Sequence, residues 1–170
     1  MAKKTIPLEA GAGGLAMNRL LLSFTPKFFQ NEKWQNQNND SATYKLNNAQ
    51  TLVFTTDTFV VKPIKFKGKN IAHLAMAGTV NDIAVMGATP IGISLALVIE
   101  EGLSEDTLQE ILDTISQISH EIDVPVVTGD TKVMEKGSLD KIIINTSAVG
   151  VTDRILDEKL EKNDSVIISG

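Results

Sequence analysis

Nine consecutive residues, Ile91-Gly92-Ile93-Ser94-Leu95-Ala96-Leu97-Val98-Ile99, are apolar at nearly every position, and this run constrains the fold more than any other stretch of the chain. A segment so uniformly apolar belongs in a strand removed from water on both faces. It is far too short to cross a bilayer. Helices would cover one face of such a strand. The other face needs a cover of its own, and a second copy of the chain is expected to supply it.

The surrounding sequence supplies the helices. Thr51 to Thr56 reads as a strand, and a loop containing Pro63 and Gly68 leads to Asn70, a good N-cap. The helix opened there should run to about Met86, with Gly87 as its stop and Pro90 beyond. Ser104 caps a second helix, ending before Pro125, in which Leu108, Ile111, Leu112, Ile115, Ile118 and Ile122 recur at three- or four-residue intervals. Val124 to Thr128 and Ile142 to Val149 are the last two strands, separated by a polar turn around Lys136-Gly137-Ser138. The order β-α-β-α-β-β predicts an α+β fold, a mixed sheet with helices on one face.

Residues 51–155 would form the principal unit, and residues 156–170 the start of a linker. Residues 1–50 are more varied. Gly11-Ala12-Gly13-Gly14 is either a flexible arm or a ligand-covering loop, and Leu20, Leu21, Phe24 and Phe28 suit one face of a short helix within Leu15 to Phe29, before or across Pro26. An Asn/Gln-rich surface connection runs from Gln30 to Asn39.

Composition excludes several functions. Cysteine is absent, which removes disulfides, thiolate metal sites and a cysteine nucleophile from these residues and fits a cytoplasmic setting. A net charge of −5 offers no basic face for nucleic acid. A single nucleotide is different, since metal ions and backbone N–H groups can hold it without a basic surface. Pro7, Glu9 and the glycines follow Lys3-Lys4 where an export signal would need an apolar stretch. His73 and His120 fall on predicted helices without the further ligands a zinc site requires. Trp34 and Tyr44 read as isolated aromatics, without the platform single-stranded nucleic acid needs.

Three acidic stretches sit in apolar company: Thr55-Thr56-Asp57, Asn81-Asp82-Ile83 and Gly129-Asp130-Thr131-Lys132. A carboxylate taken from water must be paired, hydrogen-bonded or bound to metal, and no run of arginines is at hand. Magnesium carried on a nucleotide's phosphates is the economical partner. Asp57 should project from the end of its strand, as either a ligand-facing or a turn-forming residue. Asp82 lies on a helix of small residues (Ala75, Ala77, Gly78, Thr79, Ala84) that permits close approach of a backbone or a ligand. Gly129 to Lys132 follows a strand and reads equally as an anion-binding loop or an exposed turn. Asp40 sits in an ordinary polar loop, and the N-terminal glycines match neither the Walker nor the dinucleotide pattern.

Taken together, Phe54 to Val61, Gly78 to Ala88, Glu100-Glu101-Gly102 and Val127 to Val133 resemble, in order and interval, the HypE hydrogenase maturation proteins. These are grouped with aminoimidazole ribonucleotide synthetase, selenophosphate synthetase and thiamine monophosphate kinase. The resemblance implies an N-terminal domain that dimerises through its sheet into a barrel-like interface, with ATP and Mg²⁺ nearby. It also assigns roles by position. Asp40 matches a metal-binding aspartate, Asp57 a nucleotide-contacting and metal-binding one, and Asp82, beside Asn81, one touching metal and phosphate. Gly129, Asp130 and Thr131 match a loop against the nucleotide, with Lys132 beside it and Asp130 also a metal candidate. Gly11, Gly13 and Gly14 match a motif covering the phosphates, and Ala10 stands where the family usually has histidine.

The activity implied is ATP-dependent dehydration of a protein-bound S-carboxamide to a thiocyanate, the source of cyanide for [NiFe]-hydrogenase. The carboxamide oxygen leaves as phosphate. HypF would be the carbamoyl donor, and the HypC–HypD complex the acceptor. The family continues past Gly170 into a second domain bearing the substrate cysteine, so this chain is expected to be an N-terminal half without turnover. The alternatives are another phosphoryl-transfer enzyme of the selenophosphate synthetase or thiamine monophosphate kinase type, and a non-catalytic dimerisation module.

Overall fold

The structure is a computed structural model that describes residues 5–28, 31–156 and 161–168. Its centre is a six-stranded mixed sheet in the order β1-β2-β3-β8-β6-β7, formed by β1 (Trp34–Gln35), β2 (Ala42–Lys45), β3 (Thr51–Phe59), β6 (Thr89–Glu100), β7 (Val126–Met134) and β8 (Ile142–Thr152). A small ribbon, β4 (Lys65–Phe66) with β5 (Lys69–Asn70), precedes α3. Only β6 and β7 run parallel, joined through the crossover helix α4 (Glu105–Glu121). The other neighbours are antiparallel.

Both long helices begin where their caps predict. The Asn70 side chain accepts from the Ala72 N–H at 3.0 Å, and its own N–H donates to His73 Nδ1, opening α3 (Ile71–Val85). Asn70 Nδ2 also donates to Thr114 Oγ1, which ties α3 to α4. Gly87, at φ 75°, follows the end of α3. Ser104 caps α4, whose Ile111 and Ile115 are buried in the core with Ile71, Met76, Ile83, Ile93, Ile142 and Ile144.

Alternation along the strands sorts residues between this core and the opposite face. Val53 and Thr55 of β3, Ile93, Leu97 and Ile99 of β6, and Ile142, Ile144, Thr146 and Ala148 of β8 are buried on the helix side. The open side differs from expectation. Ser94, Ala96 and Val98 face outward from β6, so the apolar run is apolar chiefly on its helix side. Register places Thr56, Ser147, Ser94 and Thr128 side by side across four strands, and the Ser147 hydroxyl donates to Thr56 Oγ1 at 2.9 Å. The open face is thus a polar band with apolar residues at its ends, Phe54 and Val149 at one and Val98 and Ile143 at the other.

Three further expectations are corrected. The strands are longer than their apolar runs: β3 continues through Asp57 to Phe59 and β7 through Gly129–Lys132 to Met134, because pairing with β8 and β6 supplies backbone hydrogen bonds that local propensity does not. The Asn/Gln-rich connection contains β1, which pairs with β2, and this brings Trp34 and Tyr44 to 5.4 Å between ring centroids, with Phe54 at 6.3 Å from Trp34. These aromatics form a cluster. The segment around Pro26 makes two pieces, α1 (Gly14–Leu22) and α2 (Thr25–Phe28), and Phe29 and Gln30 lie outside the described residues.

At Gly129 the neighbouring strand β6 leaves no room for a side chain on β7. A Cβ there would stand 2.4 Å from the Leu95 carbonyl oxygen, a backbone atom that cannot step aside. Gly129→Ala should therefore cost about 1–3 kcal/mol in urea unfolding. An unchanged midpoint would contradict the β6–β7 spacing.

Candidate functional site

Strand β3 and helix α3 bring two of the predicted carboxylates together. Thr55 and Asp57 alternate onto the helix side of β3, opposite the small-residue face of α3. A Cβ on Gly78 would meet the Phe59 ring at 2.7 Å and Asp57 Oδ2 at 3.7 Å, so glycine at this position lets the helix lie against Asp57. One helical turn further along the same face stands Asp82. Its Oδ2 accepts from the Thr55 hydroxyl at 3.0 Å.

The Asp40 loop closes the third side. Thr55 Oγ1 also lies 2.9 Å from the Asp40 carbonyl, and the Ser41 hydroxyl donates to the Asp82 backbone carbonyl at 2.7 Å. Thr55 and Ser41 are both buried. On the open side, Asn145 Nδ2 donates to the Asp57 carbonyl at 2.7 Å and to Thr58 Oγ1 at 2.9 Å, fixing the strand at Asp57. Sequence reasoning singled out neither Thr55, Ser41 nor Asn145 as a site residue. Asn145 stands directly across β8 from Thr58, but that register is not readable locally.

The electrostatics of this cluster are those of crowded anions. Burial pushes the Asp82 carboxyl up to about 6, the Asp57 charge adds to the shift, and Asp40 adds less, while the Thr55 hydrogen bond opposes it. Among the described residues no lysine or arginine forms an ion pair with Asp40, Asp57 or Asp82. Nor do three acidic or histidine side chains among them form a ready-made metal cage. Two adjacent carboxylates with an exposed third nearby suit magnesium, which takes one or two carboxylates and completes its octahedron with phosphate oxygens and water. The all-oxygen donor set fits that ion and not a thiolate or imidazole metal.

The other predicted residues are placed elsewhere. Asn81 is exposed on α3 beside Asp82. Gly11 ends a short 3₁₀ turn (Leu8–Gly11), and Gly13 precedes α1. Gly14 lines a cleft of about 570 Å³ with Met17, Gln37 and Asn39, and an adjoining cleft of about 390 Å³ reaches Asp40 and Met86. The glycine segment therefore sits on the Asp40 side. Gly129, Asp130, Thr131 and Lys132 do not form a loop but lie on edge strand β7. Register sets Gly129 three strands along from Asp57, about 14 Å by the usual strand spacing. Asp130 is exposed, and hydrogen bonds from Lys132 at 2.9 and 3.1 Å hold its carboxyl below the usual range. One chain alone does not bring Asp130 to Asp82.

Glu100 explains part of the Glu-Glu-Gly segment in structural terms. Its carboxylate accepts from the backbone N–H groups of Gly137 at 2.8 Å and Lys141 at 3.2 Å, pinning the connection between β7 and β8.

Comparison with known proteins decides the family. Residues 38–152 match the family described as AIR synthase related protein, N-terminal domain. The chain belongs to this family. It is 40% identical over 173 residues to carbamoyl dehydratase HypE of Rhizobium leguminosarum bv. viciae, covering all of this chain and 49% of that protein. The chain thus spans about half the length of the curated relatives it matches. Among solved structures, the HypE–HypF complex matches with a TM-score of 0.68 at 38% identity, over 81% of this chain and 42% of the other. HypE in complex with ATP matches with a TM-score of 0.58 at 38% identity, over 86% and 43%. All of β2, β3, α3, β6, α4, β7 and β8 fall within the family match.

The raised Asp82 value has a stability consequence. A carboxyl that protonates more readily folded than unfolded makes the native state bind the extra proton, so stability falls as pH rises from about 4 through 6 in the absence of divalent cations. Asp82 is half exposed, and solvent screening reduces the effect to about 1 kcal/mol. Asp82→Asn should be more stable than wild type by about that amount at pH 7.5 and equal to it near pH 4, as read by urea unfolding across pH. A destabilised variant at pH 7.5 would contradict the crowding of anions.

Proposed function

We propose that this chain is the nucleotide-binding N-terminal half of a HypE-like carbamoyl dehydratase, in which Asp57 and Asp82 hold magnesium on the triphosphate of ATP. The observation that carries the reading is the convergence of these two carboxylates, with Asp40 beside them and no lysine or arginine among the described residues paired with them. The similarity to a HypE solved with ATP supports the choice of nucleotide. Asp40 joins from its loop by direct contact or through water, and Asn81 presents its amide beside Asp82.

The chain's residues bind and orient. Bound magnesium would supply charge neutralisation on the phosphates, which makes the terminal phosphoryl group a usable electrophile. Asp57 and Asp82 set where that charge sits, Thr55 and Asn145 hold the strand that presents Asp57, and Gly11, Gly13 and Gly14 cover the phosphates from the Asp40 side. The substrate, a protein-bound S-carboxamide, would lose its oxygen as phosphate and leave a thiocyanate for [NiFe]-hydrogenase maturation. These 170 residues contain no cysteine to carry that substrate.

A homodimer belongs to this reading. Strand β7 is an exposed edge, and the polar band of the open sheet face, flanked by Phe54, Val149, Val98 and Ile143, is a surface a second copy can cover in a barrel-like arrangement. In that assembly Gly129, Asp130, Thr131 and Lys132 of one copy would meet the nucleotide of the other. HypF as carbamoyl donor and the HypC–HypD complex as cyanide acceptor complete the proposal, in the cytoplasm. The HypE–HypF complex supports the first of these partners.

Two measurements test it. Titration calorimetry of Mg·ATP should give binding to wild type and a loss of at least about tenfold in affinity for Asp82→Asn, as removal of a charged ligand predicts. Equal heats would contradict the assignment and favour a non-catalytic module. Sedimentation equilibrium should return twice the chain mass, and a monomer at micromolar concentration would remove the dimer from the reading.

A further inference from the structure

We propose that Thr55 is the positioning residue of this site: its hydroxyl orients the Asp82 carboxylate beside Asp57, and so sets the spacing of the magnesium ligands. The inference rests on the magnesium–nucleotide reading above. Thr55 Oγ1 lies 3.0 Å from Asp82 Oδ2 and 2.9 Å from the Asp40 carbonyl, and Asp57 follows two residues later on the same face of β3. The Asp82 carboxylate and the Asp40 backbone carbonyl therefore meet at one buried atom.

The hydroxyl has one proton and two acceptors within reach. A charged carboxylate is the stronger acceptor, so the proton goes to Asp82 and fixes the rotation of its carboxylate. Among the described residues no lysine or arginine pairs with Asp82 to do this instead. The Asp40 segment is held by Ser41, whose hydroxyl donates to the Asp82 backbone carbonyl. Serine at 55 would keep the hydroxyl; valine would keep the shape and lose it.

Calorimetry with a non-hydrolysable ATP analogue, with and without MgCl₂, tests the assignment on Thr55→Val, Thr55→Ala and Thr55→Ser. Thr55→Val and Thr55→Ala should lose about tenfold or more of the magnesium-dependent affinity, the amount a hydrogen bond to a charged group commands. Their magnesium-free nucleotide affinity should stay at the wild-type level. Thr55→Ser should bind within about twofold of wild type. A purely structural residue would move both affinities together. Thr55→Ala guards against Thr55→Val failing to fold, and thermal melts accompany each variant. Wild-type magnesium-dependent affinity in both Thr55→Val and Thr55→Ala would overturn the proposal, as would equal losses in Thr55→Ser and Thr55→Val. Absence of any binding by wild type would instead overturn the magnesium–nucleotide reading, and this inference with it.

Discussion

The approach of α3 to β3 is the constraint on which the site depends. Two elements packed through ordinary side chains stand too far apart for Asp82 on the helix to meet Thr55 on the strand. Gly78 removes that spacer, and the Phe59 ring fills the space its side chain would have taken. A buried hydrogen bond between Thr79 and Thr146 fastens the helix to β8 at the same level. The carboxylates are crowded because the backbones are close, and burial at this junction, with the Asp57 charge adding to it, raises the Asp82 carboxyl. The fold thus places like charges together at a cost that protonation of Asp82 relieves at low pH.

Much of this was legible in the sequence, and the failures have identifiable causes. Helix α4 is readable because Leu108 to Ile122 repeats at helical spacing and Ser104 caps it. Helix α3 is readable from Asn70 and Gly87, although its buried face mixes the small Ala72, Ala75 and Thr79 with the bulky Ile71, Met76 and Ile83. Asp82 stood out for the small residues around it. Asp57 and Gly129–Lys132 read locally as strand-end, loop or turn residues, since aspartate and glycine are poor strand formers and good turn formers. Pairing with β8 and β6 outweighs that preference. Thr55 was in view only as the neighbour of Asp57, because a hydroxyl's role is set by what it reaches, and Asp40 and Asp82 lie 15 and 27 residues away in sequence.

The sheet divides the work between its faces. The helix side carries the apolar core and, at the β3–α3 junction, the carboxylates. The open side carries hydroxyls and the Asp130–Lys132 pair at the far edge, about 14 Å away by strand spacing. Residues that the family resemblance gathers around one nucleotide are therefore separated within the chain. In the proposed homodimer, the edge strand and the polar band would serve together to reunite them.

The central claim is that Asp57 and Asp82 together take a divalent cation on a nucleotide. Its most direct test is a crystal grown with Mn²⁺ and a non-hydrolysable ATP analogue, read by anomalous scattering. The account predicts a manganese peak within coordinating distance of both carboxylates, with phosphate oxygens completing the shell. A peak elsewhere, or nucleotide density without metal at this pair, would contradict it.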